Sequence, residues 1–440
     1  MRRVVPDVLI IGGGISGLAA AYYLRKLGVE ATLVERCPRL GGVITTESIQ
    51  GCTVEGGPDS FLSAKPWALD LIRELGLESE VISSNDHLRV TYVVKDGALV
   101  PLPEGLMMMV PTKLRPIYDT PLFSWTTKLR MGLDYFRWPT KNSGRERSVA
   151  EFVRGHYGQE AVDYLAEPLL SGVYGGDPEH LSVTSTLTRF AELEKKHGSL
   201  TRGVLTSGNH ASSGSLFKTL KGGLGALTDA LQVYVIHRIQ GEAEAYEHGR
   251  VRIDGEWIEA NHVILATPAY EAARLLELLD SDLSQDLAAI PYTSSITMAF
   301  CFRRSQLDHP LNGFGFLVPK KERRVLTACT WVGVKFSHRV PDDLALFRCF
   351  LTQEATEHDV LNELKRLMGF TANPVFTRAF RWPRSMPQYV VGHADRLARI
   401  ERFLQRHPRL HLTGNAYFGI GIPDCIRVAR ETAEHIKAEQ

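Results

Sequence analysis

The sequence predicts an α/β chain combined with α+β: a parallel sheet assembled from discontinuous segments, a second mixed sheet, and a helical insertion. Three observations carry that expectation. A short apolar strand, "DVLII", runs through glycines into the helix "SGLAAAYYLRKLG" near the N-terminus. A second strand, turn and helix, "HVILATPAYEAARLL", recurs in the middle of the chain. At the C-terminus the glycine-bearing loop "GNAYFGIGI" feeds a helix that opens at Pro423.

At the first junction, Gly12-x-Gly14-x-x-Gly17 follows the strand at once, and the helix ends at Gly28, a residue suited to a C-cap. The strand "EATLVE" comes next and ends on Glu35, 18 residues after Gly17. Gly12 permits a tight turn, Gly14 lets a pyrophosphate approach the backbone, and Gly17 packs the helix onto the strand. The helix N-terminus then faces the phosphates, and Glu35 accepts hydrogen bonds from a ribose diol. Strand, helix, second strand and terminal acid together predict a Rossmann-type dinucleotide site. Arg36 and the Gly41-Gly42 pair in "RCPRLGGVITT" suit a second close approach to a long, extended cofactor such as FAD. Taken alone, that glycine pair also reads as a simple turn. "VEGGPDSF" adds a rigid glycine-proline loop near the same sheet.

The rest of the chain falls around this unit. The FAD-binding domain is expected from residues 1–60, 216–275 and 395–440, with "VYVIHRI" as a further strand. A substrate-binding domain is expected from 61–103 and 276–394. It contains a hairpin, "RVTYVVKDGALVPLP", turning at Asp96-Gly97, the strands "SITMAFCF" and "LFRCFLT", and a helix near "DVLNELKRLMGF". Residues 104–215 read as helices broken by prolines, with the polar stretch from Lys195 to Ser215 as the candidate mobile loop.

Bulk properties narrow the class of partner. Hydrophobic content of 44% and charge of 23% are those of an ordinary globular protein, and a net charge of +1 gives no electrostatic case for nucleic acid. Six cysteines without a CxxC pair, and histidines without metal spacing, point to neither a zinc site nor a disulfide scaffold. The uncharged stretch Val8–Leu24 resembles a signal peptide, but its four glycines and short length argue for a cytoplasmic or peripheral protein. Between Glu104 and Pro139, five Lys/Arg face three acids among Phe123, Trp125, Tyr135, Phe136 and Trp138. This suits an interfacial membrane patch, and equally core helices with solvated charges.

In the last helix Ile426, Ala429, Ala433 and Ile436 form one apolar stripe, and Pro423 suits its first turn. A helix start carries roughly +0.5 charge, which stabilises a reduced flavin that is negative around N1 and the C2 carbonyl. The first junction is thus expected to hold the phosphates and the last one the flavin ring.

Read together, "RLGGVITT", "VEGGPDSF", "EPLLSGVYGGDPEHLSV", "GFGFLVP", "RWPRSMPQYVVGH" and "GNAYFGIGIPDCI" resemble the protoporphyrinogen/coproporphyrinogen oxidase family, within the flavin amine oxidase-like group. "LLSGVYGGDP" and "YFGIGIPDCI" are its most specific motifs. The resemblance implies an FAD enzyme that removes six electrons from a porphyrinogen in three hydride-like steps, with molecular oxygen reoxidising the flavin to give hydrogen peroxide. It implies dimers on a membrane surface. It implies FAD contacts at Gly12, Gly14, Gly17, Glu35, Arg36, Gly42, Gly57, Pro58 and Ser60, and at Ile236, whose backbone would meet the adenine. Gly414, Asn415, Tyr417, Gly419 and Ile420 would sit near the flavin. Phe314, Gly315 and Leu317 would line the substrate slot, Phe350 would stack on a pyrrole, and Arg89 would pair with a propionate.

A porphyrinogen is large and mostly apolar, so an aromatic and aliphatic slot can present one meso carbon to flavin N5, while arginine binds a carboxylate with two parallel hydrogen bonds. No side-chain base stands out in this set. Arg89 also reads as a surface arginine paired with an acid, and the three apolar residues as ordinary core. Arg89 and "GFGFLVP" favour protoporphyrinogen IX over the alternative, coproporphyrinogen III, whereas "SMPQYVVGH" suits both. More distant alternatives are another flavin amine oxidase or a desaturase.

Overall fold

The computed structural model describes residues 6–207 and 215–440. Its two main sheets are built from strands β1 (Val8–Ile11), β2 (Ala31–Glu35), β3 (Thr91–Lys95), β4 (Ala98–Pro101), β5 (His237–Gln240) and β6 (His262–Leu265). They continue with β7 (Tyr292–Arg303), β8 (Gly315–Leu317), β9 (Ala328–Trp331), β10 (Leu344–Leu351), β11 (Phe376–Pro387) and β12 (Leu410–Leu412).

The first sheet is parallel throughout, in the order β5-β2-β1-β6-β12, so three distant segments of the chain share it. In β1, Val8 and Ile10 pack on one face with the opening helix (Ile15–Lys26) and the closing helix (Ile422–Ala438). Leu9 and Ile11 pack on the other face with the helices Ala269–Leu276 and Ser281–Ala288. Burial on both faces is why this strand is uniformly apolar rather than alternating.

The second sheet is mixed, in the order β11-β7-β10-β9-β8-β3-β4, with one parallel pair, β3 with β8. Asp96 and Gly97 both take positive φ (52° and 76°), as a two-residue hairpin turn requires. Phe300, Phe302, Phe316 and Phe347 bury one face against the helix Glu357–Met368, which is closed at its start by a Thr356–Asp359 capping box. Its opposite face turns toward the glycine loops of the first sheet.

Residues 104–207 form a helical unit around Phe152, Tyr157, Leu165, Leu170 and Leu200. The expected mobile loop is corrected here: Thr188–His197 and Leu200–Thr206 are helices, and only 208–214 lies outside the described residues. Ser199 caps the second helix by accepting from the Arg202 N–H, and Leu200 and Val204 are buried, which outweighs the polar composition.

A buried charged chain holds this unit together. His156 Nδ1 lies 2.5 Å from Asp134 Oδ1, its Nε2 lies 3.1 Å from Glu194 Oε1, and Arg147 reaches the same Glu194 oxygen at 2.5 Å. Burial works to raise both carboxyls, but these partners and the backbone N–H groups of Thr201 and Gly144 hold them down, Glu194 to about 2. A folded value below the unfolded one stabilises at pH above the unfolded value of 4.5 and is lost as pH falls toward 2. Glu194 alone is worth on the order of 3 kcal/mol by this linkage. The urea midpoint is therefore expected to fall between pH 5 and pH 3, and to fall less steeply in Glu194→Gln; equal slopes would remove Glu194 from the account.

Candidate active site

The glycine loop after β1 shows three different needs. Gly12 has φ +111°, and a Cβ there would meet the Ala266 carbonyl oxygen at 2.6 Å. A Cβ at Gly17 would lie 1.9 Å from the Gly12 oxygen, so helix and loop touch through hydrogen alone. Gly14, which caps the opening helix, faces open space with nothing within 4 Å. Glu35 ends β2 beside this loop and accepts from the Gly13 N–H at 2.7 Å and the Cys37 N–H at 2.8 Å. Those bonds aim its carboxylate while leaving lone pairs for hydroxyl donors.

The Gly41-Gly42 pair docks directly on the first loop. Gly41 donates to the Gly13 oxygen at 2.8 Å, and a Cβ at Gly42 would lie 3.1 Å from Gly14 Cα. Arg39, which sequence reasoning passed over, clamps this turn through the Leu40, Gly42 and Ile44 carbonyl oxygens. Arg36 lies nearby, exposed, with Glu271 at 3.8 Å. Ile236 is placed elsewhere, which corrects the expectation for it. It precedes β5 at the N-terminal end of the sheet, whereas Glu35 ends β2 and pairs in register with Gln240, four residues or roughly 13 Å along. Gln240 and Gly241 are the residues of that strand beside Glu35, and Gly241 donates to the Glu35 backbone oxygen.

Gly57 presses on the second glycine turn: a Cβ would lie 1.8 Å from the Val43 oxygen. After Pro58, Asp59 forms an ion pair with Lys335 at 2.9 Å and another with Arg348 at 3.6 Å. Burial opposes its charge, but the two cations and the Ser60 hydroxyl hold it far below the usual carboxylate range. Lys335 and Arg348 carry no local signal in the sequence, because they meet Asp59 only across the fold. Arg348 also donates to the Gly57 oxygen and lies 4.6 Å over the Phe350 ring.

Across the mixed sheet, Leu317 pairs with Ala328 and Ala328 with Phe350, so these three share one face and one row. The row continues through Thr297 to Phe380, whose ring lies 2.5 Å from the Cβ position of Gly56. That contact shows which face looks toward the cofactor loops. Leu317 and Phe350 are half-buried there, with the small Ala328 between them. Gly315 is held by its φ of +135° and by the Cys329 oxygen, 1.9 Å from a Cβ. Phe314 is buried, and its N–H donates to the Val90 oxygen, which brings Arg89 beside this strand. Arg89 is exposed, and among the described residues no carboxylate pairs with it.

At the C-terminal junction Gly414 (φ +140°) and Gly419 (φ +126°) shape the loop before the closing helix. Tyr389, for which the sequence offers no role, pins this loop: its hydroxyl donates to the Asn415 oxygen and accepts from the Gly419 N–H, both at 2.8 Å. His393 stacks on Tyr389 at 4.1 Å, and burial pushes it down to about 4, so it stays neutral. Ile420 leads into the helix, whose Asp424 pairs with Lys65 at 2.5 Å. Ser16, in the first turn of the opening helix, lies beside Cys425, in the first turn of the closing one, so both helix starts meet at this cleft.

These features fit a long dinucleotide. Gly14 leaves room for a pyrophosphate at a helix start. Around the cleft the buried hydroxyls of Thr45, Thr267, Thr413 and Tyr417 find no partner among the described residues, as groups reserved for a ligand would. Gly14→Val should leave the fold standing but fill the phosphate room. Its far-UV circular dichroism and apo-protein melting should match wild type, with FAD affinity at least about ten-fold weaker, a loss of ~1.4 kcal/mol. Normal FAD affinity in that variant would remove Gly14 from the site.

Residues 15–437 match the family model for flavin containing amine oxidoreductase. The chain is similar to the coproporphyrinogen III oxidase of Bacillus subtilis, 34% identical with 95% of each chain covered. It is similar to the protoporphyrinogen oxidase of Bos taurus, 28% identical with 98% of each covered. A solved structure from Exiguobacterium sp. 255-15, provisionally named a protoporphyrinogen oxidase, superposes with a TM-score of 0.88 at 31% identity over 99% of both chains. A putrescine oxidase shares the fold, with a TM-score of 0.70 at 17% identity. The chain belongs to the flavin-containing amine oxidoreductases, within the family of the coproporphyrinogen and protoporphyrinogen oxidases, and is an oxidoreductase with FAD as its cofactor.

Proposed function

We propose that this enzyme oxidises a porphyrinogen in haem biosynthesis, and that its substrate is coproporphyrinogen III. The observation that carries the reaction class is the row Leu317, Ala328 and Phe350, two bulky apolar groups flanking a small one on the face turned to the cofactor loops. Such a slot suits a flexible apolar macrocycle. The chemistry that FAD supplies when bound is hydride acceptance with reoxidation by oxygen, so three rounds take six electrons and yield three hydrogen peroxide. The chain's residues do the rest. Gly14 and the opening helix would receive the phosphates and Glu35 the ribose, and the start of the closing helix would hold the flavin end. Leu317 and Phe350 orient the macrocycle and exclude water, and Arg89 takes a propionate.

The Bacillus subtilis and Staphylococcus aureus relatives named for coproporphyrinogen III favour that substrate. Protoporphyrinogen IX is the second reading, favoured by the relative from Bos taurus named for that substrate. Initial rates of porphyrin fluorescence with both porphyrinogens, at matched concentrations under air, separate them. Faster turnover of coproporphyrinogen III is expected. Preference for protoporphyrinogen IX, lost in Arg89→Ala, establishes the second reading, and inertness toward both overturns the reaction class.

The three-part division at 1–60, 216–275 and 395–440; 61–103 and 276–394; and 104–215 belongs to the same proposal, as does a homodimer. So does peripheral membrane contact. No helix among the described residues is long and apolar enough to cross a membrane. The helix Trp125–Asp134 instead exposes Trp125, Leu129 and Leu133, followed by Phe136, at 55–69%. Lys128 lies 4.8 Å over the Trp125 ring, and Arg130 and Arg137 flank the stripe. An apolar stripe with basic margins suits an anionic bilayer surface. The enzyme should sediment with anionic vesicles and be released by Leu129→Ser/Phe136→Ser at unchanged turnover of detergent-dispersed substrate; equal sedimentation of that variant would sink the contact.

A further inference from the structure

At the end of the parallel sheet away from the cofactor cleft, three elements bring nitrogen and oxygen ligands together. His262 opens β6, His411 lies in β12, and Glu439 follows the last turn of the closing helix. His262 Nδ1 is 3.2 Å from His411 Nε2 and 3.7 Å from Glu439 Oε2. One ligand atom from each of the three residues lies within 4.8 Å of the others. A tetrahedral ion with bonds of about 2.0–2.2 Å sets its ligand atoms roughly 3.3–3.5 Å apart, so the cluster needs little rearrangement. We propose that His262, His411 and Glu439 form a binding site for a borderline divalent cation of the zinc type.

The surroundings support a site rather than a chance meeting. Both histidines are buried, so the pair is held in place by the strands that carry it. Glu439 is one-third exposed and gives an ion a way in. His435, one helical turn before Glu439, holds its other carboxylate oxygen at 3.3 Å, the orienting contact that bound carboxylates commonly receive. His411 and His435 rings stand 5.9 Å apart, so His435 borders the fourth position. Imidazole and carboxylate without thiolate select zinc, cobalt or nickel over copper(I) and over calcium. Asp7 adds negative potential and Arg409 opposes it. Without an ion, the two imidazoles share a single N–H···N hydrogen bond. With one, both strands are tied to the C-terminal end of the helix whose start faces the cofactor. This inference is independent of the porphyrinogen reading.

The test uses tag-free, FAD-loaded protein, treated with chelator, dialysed, and titrated with Co²⁺ and then Zn²⁺. One equivalent of Co²⁺ per chain is expected, with intense tetrahedral d–d bands that Zn²⁺ displaces, and a rise in melting temperature. Glu439→Ala, at the exposed helix end, keeps its flavin absorbance and loses at least about ten-fold in affinity. His411→Gln shows the same loss from the buried side. Absence of stoichiometric uptake, or uptake that Glu439→Ala leaves unchanged, overturns the site.

Discussion

The cofactor cleft exists because the closing helix lies along the opening one. Ile422, Ile426, Ala429, Ala433 and Ile436 pack against Leu18, Ala19, Ala20 and Ala21, and the small residues on both sides let the axes come close. Neither helix start can meet a ligand as intended until that contact forms. The contact joins segments about 400 residues apart, yet the entropic cost of such closure grows only with the logarithm of its length. Two apolar stripes therefore suffice to bring the chain ends together. FAD bound across both starts would then tighten the contact by mass action, so cofactor content and global stability are coupled.

A second constraint fixes the mixed sheet against this pair. Glu55 and Arg339 are an ion pair at 2.9 Å with side chains 2% and 0% exposed. Burial raises Glu55, and Arg339, Thr46 and the Leu224 N–H oppose that rise. Arg339 also donates to Thr219 and the Leu220 oxygen, so one guanidinium ties three segments together. With Asp59, Lys335 and Arg348 this makes a buried charged seam between the glycine loops and the slot. Such pairs add little net stability against an apolar replacement, but losing one partner costs about 3–5 kcal/mol. Their value here is register. They set the distance between the face that carries Phe350 and the glycine loops of the first sheet.

What could be read from the sequence was what local chemistry dictates. Gly12, Gly14 and Gly17 sit in a strand–turn–helix whose spacing alone assigns three roles, and the structure gives each glycine a different environment. The Asp96-Gly97 turn was legible for the same reason. Ile236 was not, because it rested on the resemblance alone, and the register that sets Gln240 beside Glu35 is decided by the partner strand. Lys335 and Arg348 were invisible because each meets Asp59 across more than 270 residues of chain. His262 and His411, 149 residues apart, have no spacing to recognise and meet only because β6 and β12 are neighbours.

The motifs most specific to the family turn out to be neighbours in space. A Cβ at Gly175 would lie 2.9 Å from Met386 Sδ, and one at Gly176 would lie 2.0 Å from Gln388 Oε1, so "SGVYGGDP" packs closely against "SMPQYVVGH". One residue on from Gln388, Tyr389 holds Asn415 and Gly419 of "GNAYFGIGIP". Gly172 adds the last contact, with its Cβ position 3.5 Å from Leu317 in the slot. The helical unit, the slot and the loop before the closing helix thus adjoin one another. A displacement of the helical unit at a membrane surface would have to move the slot wall and the C-terminal loop with it, or break the Tyr389 hydrogen bonds. Close packing of this kind explains why these three motifs, separated by some 240 residues from first to last, behave as one unit of recognition.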